Sequence, residues 1–311
     1  MSGVDVAVVG SVNLDLTVPV GRVPRPGETV LGADARRGPG GKGANQAVAC
    51  ARLGLRTAMI GCVGEDADGG MLAERLRAEG VDVRHLVPVP APTGLAMIIL
   101  EEGDGESTIV VSPGANGRLD AGRVRAAEGT ITGARAVLAQ LEIPIPAVAE
   151  AVRLATGTVV LNPAPARPLP RELLSRVDVL VPNRHELAVL CQAPTPESPD
   201  EVADLARSLL PGGPRAVVVT LGADGAMVVT ADGVARVPAV PVRAVDATAA
   251  GDSFCAGLVA GLLAGEPLAE AAARGCRAAA VTVSRPGAID ALPTAADLAA
   301  PPAPGPAASP A

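Results

Sequence analysis

The residues from Asp246 to Phe254, Asp-Ala-Thr-Ala-Ala-Gly-Asp-Ser-Phe, hold the densest chemical signal in the chain. A run of small side chains ends at Gly251 and Asp252, and an apolar pattern of Phe254, Leu258, Val259 and Leu262 then starts a helix. A helix N-terminus offers unpaired N–H groups and a partial positive charge, which together seat a phosphate. Small residues at Ala249, Ala250 and Gly251 let that phosphate approach the backbone closely. Asp252 then sets a carboxylate beside a phosphoryl group in transfer, where it can accept the proton of an attacking hydroxyl. An isolated Gly-Asp reads as an ordinary helix cap. The surrounding motif favours the base.

A second cluster, Gly38-Pro-Gly-Gly-Lys-Gly-Ala-Asn-Gln46, formally satisfies the G-x-G-x-x-G spacing at Gly38, Gly40 and Gly43. A dinucleotide site should follow the first strand directly, yet that strand ends at Gly10. Nor is this a Walker A loop, because Lys42 precedes Gly43 rather than Ser or Thr. The remaining reading is a loop whose backbone amides and Asn45 bind the hydroxyls of a small polar ligand. Asn13 and Asp15 share one face of an extended chain and suit a pair of sugar hydroxyls. Taken alone, that pair is better explained as a turn after a strand. Asn183 and Glu186 stand about one helical turn apart. Glu186 suits a magnesium-bound water, and the same spacing is that of a capping box. His185 and His85 have no catalytic partner and read as surface residues.

Alternating strands and helices must carry these groups. Strand-like runs occur at 4–9, 57–62, 136–141, 158–161, 177–181 and 216–220, with helical patterns at 44–53, 71–78, 147–155, 201–210 and 269–283. Such alternation predicts parallel β-α-β units in a layered α/β fold. Two β-rich runs, 95–101 and 108–112, are joined by Gly103-Asp104-Gly105, a hairpin signal. With runs at 14–20 and 29–35 they are expected to form a small sheet that acts as a lid. One domain is expected through residue 295. Residues 296–311 are Pro/Ala-rich, with little to bury, and are expected to be disordered.

Composition narrows the function. The chain has 311 residues, one Phe and no Trp or Tyr, so its core must be aliphatic and no aromatic platform exists for single-stranded nucleic acid. A net charge of −7 also opposes binding to a phosphate backbone. No membrane span or secretory signal is expected. The five cysteines form no C-x-x-C pair and read as reduced, mostly buried thiols.

These motifs, in this order, resemble the ribokinase (pfkB-type) sugar kinases over residues 4–293. The resemblance also takes in Gln140-Leu-Glu142, Asn162-Pro-Ala-Pro-Ala166 and Thr220-Leu-Gly222. It implies a ribokinase-like three-layer α/β/α sandwich with a small β-sheet lid. It implies sugar contacts from Asn13, Asp15, Gly41, Lys42, Gly43, Asn45, Glu142 and Asp252. An ATP site is implied at Asn183, Thr220, Leu221, Gly222, Ala223, Asp224, Gly225, Gly251 and Cys276, with an aliphatic adenine pocket. Glu186 would organise Mg2+ and phosphate, and Ala249, Ala250 and Gly251 would form the anion hole. A monovalent cation, K+, is implied at Asp246, Thr248, Thr282, Arg285, Gly287 and Ala291. Ala247 stands where the family commonly has Thr, and Ala291 lacks a hydroxyl found in relatives. The implied reaction is ATP-dependent phosphorylation of D-ribose at O5, with 2-deoxyribose, a ketohexose or a nucleoside as the alternative acceptor. A cytoplasmic homodimer paired through the lid is implied, with no nucleic-acid or membrane partner. A sugar-binding regulator without catalysis is the competing class, which the intact Gly251 and Asp252 oppose.

Overall fold

The computed structural model describes residues 3–101 and 107–299. The strands in chain order are β1 (Val6–Val9), β2 (Asn13–Val20), β3 (Arg36–Gly40), β4 (Thr57–Gly64), β5 (Asp82–Val89), β6 (Gly94–Glu101), β7 (Ser107–Ser112), β8 (Ala136–Ala139), β9 (Thr158–Leu161), β10 (Val179–Leu180), β11 (Ala216–Thr220), β12 (Ala226–Thr230) and β13 (Gly233–Val237). The helices are α1 (Lys42–Arg52), α2 (Ala67–Ala78), α3 (Ala121–Arg125), α4 (Glu128–Thr132), α5 (Ile145–Leu154), α6 (Arg171–Leu174), α7 (Arg184–Cys191), α8 (Pro199–Leu209), α9 (Ala250–Leu263), α10 (Leu268–Val283) and α11 (Ala295–Ala299).

The large sheet runs β13-β12-β11-β10-β9-β8-β1-β4-β5. Its strands from β11 to β5 are parallel. Strand alternation splits the core into two layers. Val6 and Val8 pack with residues of α1, α9 and α10, while Ala7 and Val9 pack with residues of α5 and α8. Helices therefore cover both faces, which is why β1, β4 and β8 are buried at every position and read as continuous apolar runs. The three-layer arrangement expected from the sequence is present.

The small sheet runs β3-β2-β6-β7. β1 leads through Gly10, Ser11 and Val12 directly into β2, so an interior strand of the large sheet feeds the small one. β2 pairs antiparallel with β3 and parallel with β6, and β6 pairs antiparallel with β7. The expected third lid strand at 29–35 is corrected. That segment makes only an isolated bridge between Val20 and Gly32, and the strand is Arg36–Gly40. The reason is steric. A Cβ at Gly40 would collide with the Asp15 carboxylate, so the strand beside Asp15 must be glycine-bearing and carries little β-propensity.

The sequence also did not announce the antiparallel hairpin β12–β13 that closes one edge of the large sheet. His85 is a second correction. It is half-buried on β5, with Nε2 2.9 Å from the Thr130 hydroxyl, whereas His185 is exposed as expected. The Gly103–Gly105 turn lies outside the described residues. Of the tail expected to be disordered from residue 296, residues 296–299 instead lie in α11, and residues 300–311 lie outside the described residues.

Candidate active site

The carboxyl ends of the parallel strands collect polar residues. Ser11 and Asn13 follow β1, Gln140 and Glu142 follow β8, Asn162 follows β9, Asn183 follows β10, and Thr220 ends β11. The chain steps from β1 to β4 on one side and reaches β8 on the other, so the winding reverses beside β1. A crevice at such a reversal is where open α/β sheets bind ligands. The N-termini of α1 and α9 enter the same crevice, bringing Lys42, Asn45 and Gln46 from one and Ala250, Gly251 and Asp252 from the other.

Asp252 lies in the first turn of α9 and is 5% exposed. Its Oδ2 accepts from Asn45 Nδ2 at 2.9 Å and its Oδ1 from Gln46 Nε2 at 3.0 Å. Burial raises its proton affinity, while the Lys42 ammonium and those two amides pull it back. For Lys42, burial opposes the charged form, but Asp252, Glu142 and Glu186 together hold its pKa above the ordinary lysine value. The Ala249 backbone is left-handed at φ 60°, which turns the chain sharply into α9.

The side of the crevice formed by the small sheet is equally built of pinned side chains. Asn13 is buried and accepts from Asn116 Nδ2 at 2.6 Å, while Asn116 Oδ1 accepts from the Val12 N–H at 2.9 Å. Asp15 is half-buried over Gly40, and its pKa is pushed up to about 7 by burial and by the charges of Glu142 and Asp252. Glu142 accepts from the Ser11 hydroxyl at 2.5 Å and from the Lys42 N–H at 3.1 Å. It thus caps α1, whose N-cap Gly41 has φ 89° and no side chain to do so. A Cβ at Gly41 would stand 2.7 Å from the Asn13 nitrogen, and one at Gly43 would stand 2.5 Å from the Ser11 nitrogen. Backbone packing therefore requires both glycines.

The other side is more open. Together with Lys42, Asn162, Asn183, Glu186, Thr220 and Gly251, Asp252 lines a cavity of about 200 Å³. Asn183 N-caps α7, and the capping box with Glu186 is present in full: each side chain bonds the other's N–H at 2.8 Å. Burial nonetheless raises the Glu186 pKa, so its carboxyl also faces the crevice. Thr220 bridges to Asn183 through the backbone. Gly222 (φ 61°) and Gly225 (φ 87°) bracket the turn Gly222–Asp224, in which Ala223 is exposed and Asp224 pairs with Arg184 at 2.9 Å. Leu221 and Asp224 face a separate cavity of about 420 Å³ toward Arg184 and Pro199, away from Asp252. Cys276 is nearly buried in the layer formed by α9 and α10 and does not line the Asp252 cavity.

Of the six residues expected around a cation, Asp246 ties two loops together. Its carboxylate accepts from the Thr248 N–H at 2.9 Å and the Gly287 N–H at 2.8 Å. The Thr282 hydroxyl points inward to Ser253 and Ala278, the Arg285 guanidinium pairs with Asp297, and Ala291 is buried. The Asp246 carboxylate, the Thr248 hydroxyl and backbone carbonyls remain as oxygen donors for a cation in this region.

Sequence reasoning gave no role to Gln46, Gln140 and Asn162, although it quoted them within motifs, and it missed Ser11 and Asn116. Asn116 had no local signal at all. Its partners lie 103 and 104 positions away, in the segment leading into the lid.

Residues 4–295 match the profile of the pfkB family carbohydrate kinases. The chain is 41% identical to a ribokinase of Schizosaccharomyces pombe, over 94% of this chain and 95% of that one. It is 38% identical to a ribokinase of Haemophilus influenzae, over 92% and 94% of the two chains. In structure it is similar to the ribokinase of Arabidopsis thaliana complexed with ribose and ATP. That match has a TM-score of 0.88 at 31% identity and covers 96% of this chain and 98% of the other.

Proposed function

The chain belongs to the pfkB family of carbohydrate kinases, and from that premise we propose that it transfers the γ-phosphoryl group of ATP to the 5-hydroxyl of D-ribose. The products are D-ribose 5-phosphate and ADP. One observation carries this reading: a buried carboxylate, Asp252, stands at the head of α9 with both oxygens held by amide donors. It faces the crevice that also gathers Asp15 and Glu142. The similarity to ribokinases over nearly the whole chain supports ribose as the acceptor.

The sugar half comprises Asn13, Asp15, Gly41, Lys42, Gly43, Asn45 and Glu142, whose short polar groups and loop amides match a ring of hydroxyls. As O5 attacks, its proton passes to the Asp252 carboxylate. The new O5–P bond forms while the bond to the leaving ADP oxygen breaks. The N–H groups of Ala249, Ala250 and Gly251, at the positive end of α9, stabilise charge on the phosphoryl oxygens in transit. Lys42 adds a positive charge beside them. Asn183, Thr220, Leu221, Gly222, Ala223, Asp224, Gly225 and Gly251 form the ATP side, with Cys276 beneath it. The lid excludes water, which would otherwise compete as acceptor.

Mg2+ would come with ATP and neutralise phosphate charge. Among the described residues no group of three His, Cys, Asp or Glu could hold a metal. A magnesium ion held mainly by phosphates and water, with Glu186 nearby, fits that donor set. K+ would take the Asp246 carboxylate and carbonyls near Thr248, Thr282, Arg285, Gly287 and Ala291, and would supply positive charge beneath the anion hole. The tie from Asp246 to both loops supports that assignment.

We also propose a cytoplasmic homodimer joined through the lid. Ile109 and Val110, on alternate faces of β7, are each 55% exposed, and Met97 is 44% exposed. No helix among the described residues is long and apolar enough to cross a membrane.

The deciding experiment is a coupled kinase assay over a sugar panel, run with sodium and with potassium, for the wild type and Asp252→Asn. Ribose should be the preferred acceptor. The variant should lose roughly 10²–10⁴ in kcat with ribose binding largely kept. Near-wild-type turnover in the variant removes Asp252 as the base.

A further inference from the structure

The Asp252 carboxylate is backed by a chain of buried amides that the reaction as derived leaves without a role. Gln46 is fully buried, and its side-chain amide makes three hydrogen bonds, two as donor and one as acceptor. One N–H of Nε2 reaches Asp252 Oδ1 at 3.0 Å and the other reaches Asn162 Oδ1 at 3.2 Å. Its Oε1 accepts from Gln140 Nε2 at 2.5 Å. Asn162 in turn donates through Nδ2 to the Val181 backbone carbonyl at 2.9 Å.

This chain has only one consistent polarity. An amide side chain can turn over and exchange its donor and acceptor ends, but a backbone carbonyl can only accept. Val181 O therefore obliges Asn162 to present NH2 to it and its own oxygen to Gln46. Gln46 must then present NH2 to Asn162, and the same nitrogen carries the second N–H to Asp252. Turned over, Gln46 would set its carbonyl against two acceptor oxygens in a buried space, a mismatch that costs about 1–3 kcal/mol per unsatisfied group. The backbone of the segment following β10 thus dictates, through two side chains, that Asp252 meets a donor.

We infer that Gln46, oriented by Asn162 and Gln140, is a positioning residue that aims the Asp252 carboxylate at the sugar hydroxyl and keeps it in its proton-accepting form. With Oδ1 held by Gln46 and Oδ2 by Asn45, the plane of the carboxylate is set, and the remaining lone pairs face the cavity. The same two amides oppose the effect of burial, which favours the protonated form. The other charged or titratable groups facing Asp252 are Lys42 at the start of α1, Asp15 on β2, Glu142 after β8, Glu186 on α7 and Cys255 on α9. None of them changes in the variants below.

This role rests on Asp252 being the base, so both ideas are tested in one series. The kcat and the KM for ribose and for ATP are measured from acid to alkaline pH for wild type, Gln46→Met, Gln46→Glu, Asn162→Asp and Asp252→Asn. Gln46→Met keeps the length of the side chain and removes both donors. It should lower kcat roughly 10- to 100-fold, with each KM within about threefold, because misaiming a base acts on the transition state and not on ground-state binding. Its acid limb in kcat/KM should move to higher pH. Gln46→Glu should move that limb further, since a second carboxyl meets the first. Asn162→Asp puts an acceptor against Val181 O and disturbs the chain from its outer end. It should lower kcat in the same manner, and it serves if the Gln46 variants do not fold. A Gln46→Met enzyme with kcat within twofold of wild type and an unmoved acid limb overturns the role of Gln46, provided Asp252→Asn is inactive. Equal losses in kcat and in both substrate affinities overturn it too, because they report a collapsed site. Near-wild-type turnover in Asp252→Asn overturns the base assignment itself, whatever Gln46 does.

Discussion

The two halves of the crevice are built from different materials. On the side proposed for the sugar, the polar side chains are buried or half-buried and each is pinned by a partner: Asp252 by two amides, Asn13 by Asn116, Glu142 by Ser11 and a helix N–H. On the side proposed for the nucleotide the equivalent work would fall to backbone. There the turn Gly222–Asp224 sits between two left-handed glycines, and the exposed side chains of Asn183 and Ala223 contribute little buried surface. The contrast fits the proposed ligands. Sugar hydroxyls are neutral and directional, so they need oriented donors and acceptors in a dry space. Phosphates carry charge and are met by backbone N–H groups and helix ends, whatever the side chain.

The comparison predicts that charge and polarity matter most on one side, and conformation on the other. The largest effect is the loss in kcat already expected for Asp252→Asn. Asp15 provides the next. In the unfolded chain its pKa is near 3.8 and in the folded protein it is about 7, so the folded state binds the proton more tightly. Its contribution to stability is fully present below pH 4 and is lost as pH rises through 7. Asp15→Asn removes that loss. The unliganded variant should gain over wild type with rising pH, approaching a ceiling of about 4 kcal/mol above pH 7. Chemical denaturation at pH 5 and pH 8 measures it, and a gain that shrinks at alkaline pH would break the picture of a buried, proton-hungry sugar side.

Gly225→Ala comes third. Its φ of 87° is strained for any L side chain, and a Cβ there would strike the Val237 carbonyl. A loss of about 3 kcal/mol in stability is expected, with KM for ATP rising more than KM for ribose. Asn183→Ala should be mildest. It removes one helix cap, about 1 kcal/mol by thermal melt, and should change KM for ATP less than threefold. A larger change in KM would mean that the Asn183 side chain, and not only its turn, recognises the nucleotide.

The same division governed what could be read in advance. Asp252, Asn13, Asp15 and the Gly38–Gln46 cluster were legible because each lies beside a local punctuation mark: a glycine run, a strand end, a helix start. The parallel core was legible from its apolar runs. The lid strand was misplaced by several residues because Arg36–Gly40 is glycine-bearing under Asp15, and β-propensity points elsewhere. Asn116 and the roles of Gln46, Gln140 and Asn162 were not legible, because their partners are remote in the chain. Gln46 and Asp252 are 206 positions apart, and Gln140 and Gln46 are 94 apart.

From its amino-acid order alone, then, this protein declares its layered architecture, its family and the carboxylate at the head of α9, since periodicity and short motifs are properties of neighbouring residues. Tertiary structure decided which amide faces that carboxylate and with which end, because a hydrogen bond's direction depends on what stands opposite in space. The fixed point for that choice is a backbone carbonyl at Val181, in the segment that follows β10.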